Sequence, residues 1–202
     1  MTERYLAPTE AARVYDRIGR FQDVQGFYER RAVTELVRHG EFGGARAVVE
    51  LGCGTGRLAE RLLADHLPPD ARYLGVDVSP DMTALARQRL APWRARAEIR
   101  LSAGQARLDE PAGAFDRFVA CDLLDLLSPT QIAELLAEAR RLLGGEGLLC
   151  LVSLAPGVTV AARLVTTAWE RVWRLRPQLV GGCRPIELLR YVGSGGRSIA
   201  LR

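Results

Sequence analysis

Residues 48–56 read Val48-Val49-Glu50-Leu51-Gly52-Cys53-Gly54-Thr55-Gly56, a short apolar run that carries one acid and breaks into three alternating glycines. A second apolar run closes on Asp77, 21 positions after Gly56. A strand that stops at a glycine turn before a helix lets backbone N–H groups approach a ligand closely. An acid at the tip of the neighbouring strand can accept hydrogen bonds from ribose hydroxyls. The interval suits one intervening helix, as a nucleotide-type crevice requires. The plainer alternative is a glycine turn that only lets a helix pack against a strand.

The surrounding chain alternates strands and helices as a parallel sheet demands. Residues 9–19 and 23–39 predict two leading helices, the second with Phe27, Ala32, Val33, Leu36 and Val37 at helical spacing. Strands are expected over Ala47–Leu51, Tyr73–Asp77, Ala97–Ser102, Phe115–Cys121 and Leu148–Leu154. The last is almost wholly apolar, which predicts a central position. Between them lie helices from Gly56 to Asp65, from Ser79-Pro80 to Leu90, and from Ser128-Pro129-Thr130-Gln131 to Leu143. The second and third of these open on an N-cap serine followed by proline, and the third adds capping-box spacing. The fold class is therefore α/β, a Rossmann-like, mostly parallel sheet with helices on both faces and five main strands.

The nicotinamide and flavin fingerprint, Gly-x-Gly-x-x-Gly, does not fit, because Arg57 stands where its third glycine belongs. Glu50-Leu51-Gly52-Cys53-Gly54-Thr55-Gly56 resembles instead the first motif of class I S-adenosylmethionine (SAM)-dependent methyltransferases. Tyr15-Asp16-Arg17, Leu74 to Met82, Phe115 to Val119 and Ala139 to Leu149 carry the same likeness, over roughly residues 10–190. It is nearest to the bacterial ubiquinone/menaquinone-type and phospholipid methyltransferases. Gly145 stands where proline is common in that family.

The resemblance implies SAM as cofactor and a small-molecule or lipid-like methyl acceptor. It implies that Glu50 orients the cofactor's amino group, directly or through water, while Gly52, Cys53, Gly54, Thr55 and Gly56 lie against its methionine and ribose portions. Asp77 would bind the ribose diol, with Val78 beside it and Met82 against adenine; for Met82, core filling is the alternative. The family's adenine-binding acid after the third strand is missing, and Gly104 and Gln105 occupy that place. Gln105 could accept the adenine amino group through its carbonyl, less firmly than a carboxylate. Cys121 would close the pocket after the fourth strand. Asp122 and Asp125 either position a substrate amine or hydroxyl or simply open a loop to water. Tyr15 and Tyr28, on the leading helices, are candidates for contact with cofactor or substrate. No catalytic residue is assigned: methyl transfer from a sulfonium rests on alignment, and a base is needed only where the acceptor loses a proton. His39 and His66 read as structural.

Composition narrows the field. At 202 residues, with 48% hydrophobic and 26% charged content, the chain reads as one soluble domain. It divides into lid helices over 1–40, a core over 45–155 and a C-terminal helix and tail over 156–202. No lysine occurs, which excludes Schiff-base, Walker-type and Tyr-x-x-x-Lys chemistry. The four cysteines form no Cys-x-x-Cys pair, so no metal site is expected. A net charge of +4 without a long basic run argues against nucleic acid as a partner. The opening residues lack a signal-peptide core, and a cytoplasmic location is expected.

From Val158 to Leu175 the apolar residues Ala161, Leu164, Val165, Ala168, Trp169, Val172 and Leu175 form one helical face, with Arg163, Arg171 and Arg174 elsewhere. Such a helix is expected to pack on the sheet; peripheral membrane contact is its other outlet. The family's final antiparallel hairpin is expected to be absent or a stub at Ser198–Leu201. Such an ending leaves an alternative reading, a non-catalytic SAM-binding or interaction protein with a degenerate C-terminus. A Rossmann oxidoreductase is opposed by Arg57 and by the missing lysine. Acceptor identity and oligomeric state are not legible here.

Overall fold

The computed structural model describes residues 5, 7, 9, 10, 12, 13, 16 and 29–192. Tyr15, Tyr28 and the Ser198–Leu201 stub lie outside the described residues. Thr9, Glu10, Ala12, Arg13 and Asp16 are helical, in line with the first leading helix. The second is described as α1, Glu29–His39.

Five parallel strands follow: β1 Ala47–Leu51, β2 Arg72–Asp77, β3 Ala97–Leu101, β4 Arg117–Cys121 and β5 Leu148–Val152, in the order β3-β2-β1-β4-β5. Helices α2 (Arg57–Asp65), α3 (Pro80–Arg89) and α4 (Pro129–Leu143) connect them, and α5 (Val160–Leu175) and a short α6 (Leu189–Val192) come after. Ser79 and Ser128 cap α3 and α4 as their sequences predict: Ser79 Oγ accepts from Met82 N–H, and Ser128 with Gln131 completes a capping box.

Strand alternation divides the core between two faces. Val49, Leu51, Leu74, Val76, Phe118 and Ala120 meet Ile132, Leu135, Leu136 and Leu142 of α4 on one face. Val48, Tyr73, Ile99 and Val119 meet Val37 of α1, Leu62 and Leu63 of α2, and Ala86 of α3 on the other. Two expectations fail. Strand β5 is at the edge rather than central. Its apolar run reflects cover above and below, with Leu149 and Leu151 against the α4 cluster and Leu148 and Cys150 against the other. Helix α5 does not pack on the sheet: none of its residues belongs to either cluster.

The sheet is sewn at its lower end by Asp116 and Arg117, two residues that carry the family likeness. Asp116 Oδ2 accepts from Arg46 N–H at 2.8 Å. Arg117, buried at the start of β4, donates to the carbonyls of Gly40 and Glu41 at 2.7 Å each and of Asp116 at 2.8 Å. It thereby fixes the end of α1 against the sheet. Replacing Arg117 with Met keeps the stem but removes the donor of the Gly40 carbonyl and one donor each from the Glu41 and Asp116 carbonyls, which keep Gly44 and Leu148 N–H, so urea unfolding should show a loss of about 2 kcal/mol. A loss below about 1 kcal/mol would mean that water reaches them.

Candidate functional site

The order β3-β2-β1-β4-β5 reverses direction between β1 and β4. At such a switch point the loops leaving the two strands diverge and open a crevice. Among the described residues, the Gly52–Gly56 turn, Asp77 and Val78, Gly104 and Gln105, and Cys121 and Asp122 lie at or just after the carboxyl ends of β1, β2, β3 and β4.

Gly52, Gly54 and Gly56 adopt φ of 72°, 51° and 78°, the left-handed region that costs other residues about 1–2 kcal/mol each. A side chain at Gly56 would crowd Ala86 Cβ at 3.2 Å, whereas one at Gly54 would meet nothing within 4 Å. The crest of the turn is open on its outer side. Its inner side is tied to β2, with Gly52 and Cys53 N–H donating to the Val76 carbonyl. Thr55 is held by Arg89, whose guanidinium donates to its carbonyl and hydroxyl oxygens at 2.7 Å. Sequence reading missed Arg89, because nothing in its spacing at the end of α3 signals a partner 34 residues away.

Asp77 completes the turn. Its Oδ2 accepts from Gly54 N–H and its Oδ1 from Ser79 N–H, both at 2.9 Å. Burial still raises its pKa from the ordinary value, against three backbone N–H bonds, from Ser79, Gly54 and Val78, and with help from the nearby Asp16. Asp16 itself accepts a hydrogen bond from Ser79 Oγ. A carboxylate can accept more than these three bonds. A half-buried carboxylate in that state, beside the open crest at Gly54, fits a pair of hydroxyl donors such as a ribose diol.

Glu50 sits deeper on the same face of the sheet. It lies opposite Gly75 in the β1–β2 register, is 3% exposed, and accepts a hydrogen bond from the Tyr73 hydroxyl beneath the turn. Desolvation pushes its pKa up to about 8, with the nearby Asp77 charge adding to the rise and the Tyr73 bond opposing it. The parity of the strands carried a signal for Tyr73: positions 73 and 75 share a face, and the missing side chain at 75 makes room. A Cβ at Gly75 would stand 2.6 Å from Ile99 Cδ1 and 3.0 Å from Cys53 Sγ. Cys53 is thus a small buried residue under the turn, and burial raises its thiol pKa well above the ordinary value.

Val78 is half-buried beside Asp77, and Met82 is buried outside both core clusters. After β3, Gly104 adopts φ 91° and Gln105 is exposed. The Gln105 carbonyl oxygen already accepts from Ser102 Oγ at 3.3 Å. The segment after β3 is therefore more exposed than the turn at Asp77. Cys121 ends β4 half-buried, and Asp122 follows in the left-handed region at φ 52°, its N–H donating to Val152. Asp125 does not open a loop to water: it is 1% exposed, accepts from Ser153 Oγ at 3.4 Å, and burial raises its pKa to about 6.

Residues 48–147 match the family model of a methyltransferase domain. That match covers 100 of the 202 residues. The malonyl-[acyl-carrier protein] O-methyltransferase of Bacillus cytotoxicus is 35% identical over 79 residues, covering 39% of this chain and 26% of that protein. The ornithine lipid N-methyltransferase of Singulisphaera acidiphila is 42% identical over 55 residues, covering 27% and 28%. The chain thus spans about a quarter of the length of these relatives. The structure of the N-methyltransferase NodS from Bradyrhizobium japonicum, in complex with S-adenosyl-L-homocysteine, superposes with a TM-score of 0.61 at 22% identity, over 79% of this chain and 77% of that one.

Because folded Glu50 holds its proton well above the ordinary value near 4.5, the folded chain binds more protons than the unfolded one up to about pH 8. Stability from this group should fall as pH rises through that window, by up to about 1.4 kcal/mol per unit. Asp125, raised to about 6, contributes the same sign lower in the range. Denaturant unfolding at about pH 6 and about pH 8 should show a decline in the wild type that is much reduced in Glu50→Gln; equal slopes would mean that Glu50 is ionised throughout.

Proposed function

We propose that this chain is a SAM-dependent methyltransferase acting on a small-molecule or lipid-like acceptor. One observation carries the reading: the carboxylate of Asp77 meets the N–H of Gly54 at the open crest of a turn whose three glycines are all left-handed. The family match over residues 48–147 supports it. Relatives named for malonyl-[acyl-carrier protein] and for ornithine lipid support an acceptor of that class.

SAM supplies a sulfonium methyl group that is already a strong electrophile. The chain's own task is then to bind, align and exclude water. In this reading Asp77 takes the ribose diol, and the Gly52–Gly56 turn leaves room for the rest of the cofactor. Val78, Met82, Gly104 and Gln105 line the adenine side. Glu50 acts from beneath, holding Tyr73 and through it the floor on which Cys53 and the turn rest. Cys121, Asp122 and Asp125 stand on the acceptor side, after β4. Asp125, with its raised pKa and its bond to Ser153, is suited to hold or take a proton at its carboxylate where an acceptor hydroxyl or amine must lose one. Tyr15 and Tyr28, outside the described residues, stay candidates from sequence for contact with cofactor or substrate.

A cytoplasmic location belongs to this reading, since none of the four cysteines is in a disulfide, as a reducing compartment favours. Among the described residues no helix is long and apolar enough to cross a membrane, so contact with a membrane would be peripheral.

Isothermal titration should show binding of SAM and S-adenosylhomocysteine but not of NAD. Asp77→Asn keeps the shape and removes the charge, and should weaken SAM binding by about 1–3 kcal/mol. An unchanged affinity would remove Asp77 from the site. Transfer of labelled methyl in a screen of carboxylic acids, aminolipids and quinone precursors tests the activity itself; SAM binding with no transfer to any class would sink the acceptor assignment.

A further inference from the structure

Among the described residues, eight of the eleven exposed large apolar side chains fall between Val158 and Leu179. They centre on α5. Val160, Leu164, Val165 and Leu175 are 78%, 68%, 66% and 77% exposed, and Trp169 is 37% exposed, so the apolar face predicted from sequence is turned to solvent. The helix is not loosely placed. Trp173 is buried and its indole N–H donates to the Gly182 carbonyl at 2.9 Å, while Trp169 donates to the Cys183 carbonyl at 2.8 Å. Thr166 Oγ accepts from Gly157 N–H at 3.0 Å. These bonds pin one flank of the helix, at Thr166, Trp169 and Trp173, to the 157 and 181–183 loops and leave the rest of the apolar stripe facing outward.

Charge decides between the occupants such a stripe could take. Arg163, Arg171 and Arg174 lie on the helix and Arg176 caps it, against one acid, the half-buried Glu170. Among the described residues none of the four arginines makes an ion pair. A second copy of this helix would bring like charges together across the contact, which costs binding. An anionic lipid surface would instead meet the guanidinium groups with phosphate while the stripe enters the acyl boundary. Arginine stems can extend along the apolar layer and leave their heads among the headgroups.

We propose that the exposed face of α5 docks this domain on anionic lipid bilayers. The geometry is independent of the methyltransferase reading; only the use of the contact, access to a lipid-like acceptor, rests on it.

Co-sedimentation of the full chain with vesicles of equal parts phosphatidylglycerol and phosphatidylcholine, and with phosphatidylcholine alone, tests the proposal. Binding should need the anionic lipid and weaken with added salt. It should fall about tenfold or more in Leu164→Asp/Val165→Asp and in Arg171→Glu/Arg174→Glu, two exposed pairs away from the crevice. Circular dichroism and SAM titration on the same samples confirm that each variant is folded. Wild type that ignores anionic vesicles overturns the proposal. So does a dimer in sedimentation equilibrium that Leu164→Asp/Val165→Asp dissolves, since the face would then belong to a second copy. Failure to bind SAM with vesicle binding intact would strike the proposed function and leave the docking surface standing.

Discussion

Asp77 holds two loops with one carboxylate, taking Gly54 N–H from the glycine turn and Ser79 N–H from the start of α3. Much of the crevice depends on this. The turn has no side chains of its own to fix its shape, and the left-handed glycines that open its crest are also the residues that lose most freedom on ordering. A buried acceptor at a defined point converts that freedom into one conformation. The same carboxylate aligns Ser79, whose hydroxyl caps α3. Yet burial outweighs its three backbone N–H bonds, leaving the group less well solvated than it would be in water. A site that is under-supplied with donors on its open side has affinity for a ligand that brings two of them.

Glu50 shows the reverse solution to the same problem. It lies near the tip of β1 as Asp77 lies at the tip of β2, but its side chain faces the interior, where desolvation raises its pKa to about 8. Its one hydrogen-bond partner is Tyr73, and the absent side chain at Gly75 gives the group its space. A neutral acid beneath the turn and an ionisable one at its rim divide the work. The first keeps the floor rigid without placing a second full charge beside Asp77, and the second remains available to solvent and ligand. Two carboxylates on one face of the sheet differ because Glu50 lies within β1, covered by Tyr73 and the turn, whereas Asp77 ends β2 at the crevice.

The strands and helices of the core were legible because their boundaries are set locally, by apolar runs, glycines and capping serines that act within a few residues. β1 and α4 end where their sequences say they should. Lateral position was not legible. β5 reads as central because both of its faces are covered, and hydrophobicity reports cover above and below without counting neighbours at the side. At the site, Gly52 to Gly56 and Asp77 were legible as a motif, whereas the partners that fix them were not. Arg89, Tyr73 and Asp16 act across the fold through single contacts, and a single contact leaves no period in the sequence. Asp125 misleads in the opposite sense: an acid after a strand suggests a solvated loop, but Ser153 and the loop at 183–184 close over it.

Helix α5 shows where periodicity stops being informative. Its apolar stripe is plain in the sequence, and amphipathicity says only that one side differs from the other. The direction in which that side points depends on what holds the helix. Here the anchors are on one flank: two indole N–H groups that find the carbonyls of Gly182 and Cys183, and a threonine that takes a backbone N–H from Gly157. Tryptophan normally reads as core, and Trp173 is buried, with Tyr5 edge-on to its ring and Arg184 against it. But its polar tip chooses the loop rather than the sheet, and the helix turns with it. The exposed stripe is thus the consequence of satisfied hydrogen bonds on that flank.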